Sequence, residues 1–165
     1  MIDYKVVTAL RLSSEPGQQS IPTIAAGEVG RALALQGTEL DLDQAIDLYV
    51  ASTLGERRPV ADRARMATMF RHANLIITAW EGELLVGISR SVTDFVWYTY
   101  LADLAVRLSH QRQGIGKELM RLTQAAAPQA SLLLRAAPAA AHYYEHVGFT
   151  NAPNSWVLLP HERIS

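Results

Sequence analysis

Apolar and polar positions follow several different rhythms along this chain, and each rhythm predicts an element. Residues 2–12 mix apolar and polar positions and predict a strand. Residues 13–30, rich in Ser, Pro, Gly and Gln, predict a loop or irregular connection. The short apolar run Arg31–Gln36 fits either a strand or a turn of helix. From residue 41 helical spacing sets in. Asp41 or Asp43 can cap a helix whose apolar face is Leu42, Ile46, Tyr49, Val50 and Leu54. Pro59 is suited to open a second helix, with Asp62 in its first turn and Val60, Ala64, Ala67 and Phe70 at helical spacing.

Strand signals follow. Leu75–Trp80 and Leu84–Val92, joined by Glu81-Gly82-Glu83, predict a hairpin. After a break at Thr93–Phe95, Trp97–Val106 reads as a long strand, apolar on both faces and therefore central. Arg107–Gln113 is polar. Gly114–Ala126 predicts a helix with Ile115, Leu119, Leu122 and Ala126 on one side, ended by Pro128. Ser131–Arg135 reads as a short buried strand and Ala139–Val147 as a helix closed by Gly148. Trp156–Leu159 reads as a last strand. The order is helices, hairpin, long strand, helix, strand, helix, strand. It predicts an α/β (α+β) layer fold with a mixed sheet.

Composition narrows the class. The chain has 165 residues, which suggests one domain, and 49% of them are hydrophobic against 19% charged, a folded balance. Cysteine is absent, so neither a disulfide framework nor a cysteine nucleophile is available. The net charge of −1 is interspersed, with no basic stripe to bind nucleic acid. No stretch approaches the ~20 apolar residues of a membrane span, and the N-terminus lacks a signal-peptide core. These features predict a cytoplasmic protein with no nucleic-acid or membrane partner.

The most informative stretch runs from Leu104 to Lys117. An apolar strand enters a polar loop, and the loop enters a helix at Gly114-Ile115-Gly116. The first N–H groups of a helix have no intrahelical partner and point outward with the positive end of the helix dipole. They can hold a phosphate, and glycine lets it approach the backbone. Arg112 and Lys117 can add charge. Other glycine motifs fit worse. The dinucleotide fingerprint would need glycine at position 119, which is Leu119, and a Walker A loop would need glycine and Ser or Thr where Gln111 and Glu118 stand.

This stretch resembles motif A of the GNAT acetyltransferase superfamily: a strand ending in L-x-V, then Q/R-x-x-G-x-G/A opening a helix. The chain supplies Leu104-Ala105-Val106 and Gln111-Arg112-Gln113-Gly114-Ile115-Gly116. Ala139–Phe149, with Tyr143-Tyr144 and Gly148-Phe149, is similar to the family's motif B and follows in the expected order. The resemblance covers residues 35–159, which makes 35–165 the candidate domain and leaves 1–34 as an extension or an extra strand and loop. It implies a mixed, mostly antiparallel sheet of six to seven strands flanked by about four helices. It also implies that acetyl-CoA is the acyl donor. Its pyrophosphate would lie on the N–H groups from Gln111 through Arg112, Gln113, Gly114, Ile115 and Gly116 to Lys117, and its pantetheine arm would pair with Leu104-Ala105-Val106. The Asn that the family often places before motif B is missing here, where the chain reads Arg135-Ala136-Ala137-Pro138.

The expected reaction is acetyl transfer to the primary amine of a small molecule or peptide, by direct attack in a ternary complex. Tyr144 matches the family's common acid. An unperturbed Tyr, with a pKa of about 10, carries a proton for the departing thiolate at neutral pH. Asp103, a lone charge in an apolar strand, is the first candidate for the base, and a structural hydrogen bond is the competing reading. Asp94 reads as a turn cap and His110 as a solvated loop residue. His142 and His146 stand at zinc-compatible spacing but without a third ligand, so no metal is expected. Trp97, Tyr98 and Tyr100 read as core, with one of them able to line the acceptor pocket. Arg57, Arg58, Arg63 and Arg65 read as a solvated helix surface. The alternatives are a non-catalytic CoA-binding sensor of the same fold and an acyltransferase using a longer acyl-CoA. The resemblance is compatible with a homodimer.

Overall fold

The structure is a computed structural model that describes residues 1–12, 21–22, 29–30 and 33–164. The chain divides into two compact units, Met1–Arg135 and Ala136–Ser165, each described by itself. Most of the loop expected over 13–30, and part of the run 31–36, lies outside the described residues.

The first unit is a mixed α/β sandwich. Its strands are β1 (Asp3–Arg11), β2 (Ile21–Pro22), β3 (Gln36–Asp41), β4 (Leu75–Glu81), β5 (Leu84–Thr93), β6 (Tyr98–Val106) and β7 (Ser131–Leu134). They form one sheet in the order β2-β1-β4-β5-β6-β7, with β3 also pairing with β1. The pairings β1–β3 and β6–β7 are parallel and the others antiparallel. Residues 3–11 are therefore part of the sheet itself, lying between β3 and β4.

Among the helices of the described residues, α1 (Leu42–Ala51), α2 (Arg63–Arg71) and α3 (Ile115–Ala126) cover the sheet. β4 carries six consecutive buried residues because alternate side chains enter different cores. Ile76 and Trp80 join Leu42, Leu48, Tyr49, Met66 and Phe70 beneath α1 and α2. On the other face Leu75, Ile77 and Ala79 join Ile115, Leu119 and Leu122 beneath α3. Gly87 of β5 lets α3 come close, since a Cβ there would stand 3.0 Å from the Ile115 side chain and 3.1 Å from that of Leu119.

The helix starts depart from the expected ones in instructive ways. Asp41 caps α1, its carboxylate accepting from the N–H of Asp43 at 2.8 Å. The buried face of α1 is Leu42, Ala45, Leu48 and Tyr49, whereas Val50, read as inward, is exposed. Pro59 does not open α2. Asp62 caps it by accepting from Arg65 N–H at 2.9 Å, and the inward residues are Met66, Ala67 and Phe70, while Ala64 is exposed. Strand β3 was not expected, because QGTELD has no apolar run and gains its place by parallel pairing with β1.

In the second unit a 3₁₀ turn (Pro138–Ala140) leads into α4 (Ala141–His146). Gly148 has φ +98°, its N–H bonds to the Glu145 carbonyl, and the Phe149 N–H bonds to the Tyr144 carbonyl. This is a Schellman termination, and it is completed by the Phe149 ring packed edge-on against Tyr144 at 5.6 Å. The Gly-Phe pair of the second motif thus ends the helix and holds the Tyr144 ring. The strand expected at Trp156–Leu159 is absent: the segment pairs with no strand among the described residues, and Trp156 is 96% exposed. Apolar, β-prone composition makes a strand only where an edge receives it.

Candidate active site

β6 carries Asp103, Leu104, Ala105 and Val106, and its irregularity explains their arrangement. Arg90 pairs with Asp103 but Ser91 pairs with Leu101, so Ala102 is an extra residue in β6. Such a bulge bends a strand and re-aims its side chains. Before it, Thr99 faces Thr93 on the α3 side, their hydroxyls 2.7 Å apart. After it, Asp103 and Ala105 face α1 and α2, while Leu104 and Val106 pack toward α3. The strand is therefore not apolar on both faces as expected.

The pairing of β6 with β7 stops at Leu101↔Leu134, although β6 runs on to Val106. Its outer edge beyond the bulge has no strand partner among the described residues. The Arg107 N–H bonds to the Val86 carbonyl on the β5 side. By the two-residue alternation of a strand, the backbone groups of Ala105 point inward to β5, and those of Leu104 and Val106 point to the open edge. Ala105, buried as well, is a spacer between two outward residues. Gln111 Nε2 donates to the Val106 carbonyl at 3.1 Å. The edge that remains offers the N–H groups of Leu104 and Val106 and the Leu104 carbonyl. β7, read as a buried strand, is only partly covered.

Beyond Val106 the chain is tied down and turned into α3. Arg107 Nε donates to the Leu85 carbonyl at 2.7 Å, and its guanidinium pairs with Asp47. A 3₁₀ turn, Leu108–His110, follows. His110, expected to be solvated, is largely covered and held between Ser109 Oγ at 2.8 Å and Glu81 Oε2 at 3.1 Å. Arg112 and Gly114 have φ +62° and +83°. Gly114 stands at the cap position of α3, and no side chain caps that helix. The N–H groups of Ile115, Gly116 and Lys117 therefore have no intrahelical partner, the first bond inside the turn being Glu118 N–H to Gly114 O at 3.0 Å. A Cβ at Gly114 would meet nothing within 4 Å, so the space over this end is open. Ile115 turns its side chain into the core, while Gln111, Arg112, Gln113 and Lys117 are exposed around the open end.

Asp103 is 2% exposed and fully engaged. Oδ1 accepts from Arg58 Nε at 2.6 Å, and Oδ2 accepts from Arg90 Nε at 2.5 Å and from the Tyr49 hydroxyl at 2.8 Å. Burial and the Asp103 charge push the Tyr49 hydroxyl pKa well above its ordinary value, so it stays a donor. Burial alone would lower the Arg90 pKa, but the charge of Asp103 raises it. Arg58, read as part of a solvated helix face, instead crosses to the bulge and donates through Nη2 to the Ala102 carbonyl at 2.9 Å. Sequence reasoning missed Arg58, Arg90 and Tyr49. The available signal was Arg90, the single charge of its hairpin strand, at the cross-strand position of Asp103.

Asp94 does cap a turn. Its carboxylate accepts from the N–H groups of Val96, Trp97 and Tyr98, bonds that hold its pKa below the usual carboxylate value. Trp97 and Tyr98, expected in the core, are exposed, as is Tyr100 to a lesser degree. Tyr144 lies in the second unit, on α4. Among the described residues no group of His, Asp or Glu is placed to hold a metal ion, and no helix is long and apolar enough to cross a membrane.

A family profile described as an acetyltransferase (GNAT) domain matches residues 50–157. A GNAT-family acetyltransferase from Streptococcus pneumoniae is similar at 25% identity and a TM-score of 0.60, over 74% of this chain and 93% of that one. A protein from meticillin-resistant Staphylococcus aureus aligns at 19% identity and a TM-score of 0.60, over 72% of this chain and 90% of that one. One from Deinococcus radiodurans aligns at 16% identity and a TM-score of 0.52, over 96% of this chain and 88% of that one. At these two lower identities the likeness is one of fold. No protein of curated function matches the chain significantly.

Proposed function

Since the chain belongs to the GNAT acetyltransferase family, we propose that it transfers the acetyl group of acetyl-CoA to a primary amine in a ternary complex. One observation carries this reading: the open edge of β6 leads directly into a helix start whose N–H groups are uncapped. The two together suit a long ligand with an amide-bearing arm and an anionic end. Leu104 and Val106 would pair with the pantetheine amides. The N–H groups of Ile115, Gly116 and Lys117 would hold the pyrophosphate, with charge from Arg112 and Lys117.

Chemically, the amine nitrogen bonds to the thioester carbon, the C–S bond breaks, and the thiolate takes a proton. A strand N–H near Val106 would polarise the carbonyl oxygen as charge develops there. Tyr144 is proposed as the proton donor on the strength of its motif position. Asp103 is proposed as an anchor instead of a base, because both its oxygens are already held by cations. Amine deprotonation then falls to solvent, and holding amine and thioester together supplies much of the acceleration.

Release of free CoA thiol from acetyl-CoA against an amine panel tests the reading. Acceptor-dependent release is expected, with Tyr144→Phe lowering kcat about 10²-fold or more while the Kd for acetyl-CoA holds. Binding of acetyl-CoA without any turnover would favour a sensor, and an unchanged kcat in Tyr144→Phe would remove Tyr144 from the mechanism.

A further inference from the structure

The face of the sheet turned toward α1 and α2 carries an unbalanced charge next to bare apolar surface, both beside the bulge at Ala102. Arg58 and Arg90 share the single carboxylate of Asp103, and Tyr49 is a neutral donor. No second carboxylate pairs with either guanidinium among the described residues. Asp47 is committed to Arg107 and Asp43 to Arg63. Two cations and one anion leave one positive charge in a largely desolvated cluster, an arrangement that favours an added anion.

Of the two cations, Arg58 is the one that can receive it. The Arg90 side chain is 9% exposed, that of Arg58 25%. Arg58 has five N–H donors, of which its bonds to Asp103, Arg57 and Ala102 take one each at Nε, Nη1 and Nη2. Each terminal nitrogen keeps an N–H, which leaves two donors for the two oxygens of a carboxylate.

The apolar surface lies on the same face. Val92 follows Arg90 by two residues and so shares its side of the sheet. Tyr100 is the cross-strand partner of Val92, and Leu133 the partner of Tyr100. Tyr98, two residues before Tyr100, completes the group. Their exposures are 47% for Val92, 38% for Tyr100, 37% for Leu133 and 52% for Tyr98. Four neighbouring apolar side chains this exposed mark a binding surface more than chance.

We propose that the acceptor is an amine that also bears a carboxylate and a bulky apolar group, as an apolar α-amino acid does. Arg58 takes the carboxylate, and Tyr100 with its neighbours takes the apolar group. The amine is then left at the bulge, where the open edge of β6 begins. This rests on the acetyl-transfer reading and specifies its acceptor.

The test compares L-phenylalanine with 2-phenylethylamine, which differ by the carboxylate, in the thiol-release assay with acetyl-CoA. Wild type should favour phenylalanine by about 10-fold or more in kcat/KM. In Arg58→Gln that ratio should fall toward one. Because Arg58→Gln also removes a partner of Asp103, Tyr100→Ser provides a second variant: it should erase a preference for phenylalanine over glycine. Turnover of 2-phenylethylamine as fast as phenylalanine by wild type overturns the proposal and leaves acetyl transfer intact. Turnover of neither compound while acetyl-CoA still binds overturns the proposal as well. Failure to bind acetyl-CoA overturns the underlying reading instead.

Discussion

Asp103 is a carboxylate buried beside the bulge of β6. A charge in an apolar strand demands a partner or a purpose, and the sequence leaves both open. The structure supplies three partners, Tyr49 from α1, Arg90 from β5 and Arg58 from the turn between α1 and α2. None is near it in sequence, and only Arg90 could have been found by aligning the hairpin with β6. Removing one member of a buried ion cluster leaves the others uncompensated and costs about 3–5 kcal/mol. Asp103→Asn should therefore lower the urea midpoint strongly. An unchanged midpoint with a collapsed kcat would instead restore Asp103 as the base. Asp94 gives a pH prediction. Its pKa is depressed in the folded protein by the N–H groups of Trp97, Val96 and Tyr98. Its contribution to stability is thus full above the unfolded value of about 3.9 and is lost as pH falls through the lower folded value. Asp94→Ala should be less stable than wild type at neutral pH, and the gap should close on acidification below about pH 4. A gap that stays constant with pH would show that the carboxylate charge is not what holds the turn.

At the level of elements, what could be read in advance followed burial. The hairpin was legible because its strands carry long apolar runs around Gly82, and α3 because Ile115, Leu119 and Leu122 repeat at helical spacing. Strand β3 was not, since a polar strand is recruited by its neighbour. The reverse error occurred at Trp97 and Tyr98, where large aromatic rings suggested core and proved exposed. The uncapped start of α3 at Gly114 was legible because helix starts and glycine are local properties. The bulge at Ala102, which frees the edge of β6, depends on register with β5 and leaves no mark in the sequence. The placement of α3 depends in turn on Gly87. A Gly87→Val side chain must displace Ile115 and Leu119, at about 1–3 kcal/mol, and should shift the helix start with them. Thermal denaturation should show the loss, and acetyl-CoA affinity should fall although residue 87 faces the α3 core. Unaltered affinity in a destabilised variant would mean that the helix start is held from the loop side alone.

Across the whole molecule, the family match and the sheet order both give a GNAT acetyltransferase, and the first unit contains a strand edge and a helix start in tandem. The second unit carries Tyr144 on a helix whose Gly-Phe ending the sequence displayed openly. In the proposed reaction the helix start at Gly114 receives the pyrophosphate of acetyl-CoA. Calorimetric titration with acetyl-CoA tests it most directly when wild type is compared with Gly114→Asp. Aspartate tolerates the left-handed backbone that position 114 adopts, so the variant can fold while its carboxylate occupies the anion's place. The expected result is saturable binding by wild type that weakens about 100-fold or more in the variant, equivalent to about 2.7 kcal/mol. Equal binding by both proteins, or none by wild type, would contradict the claim.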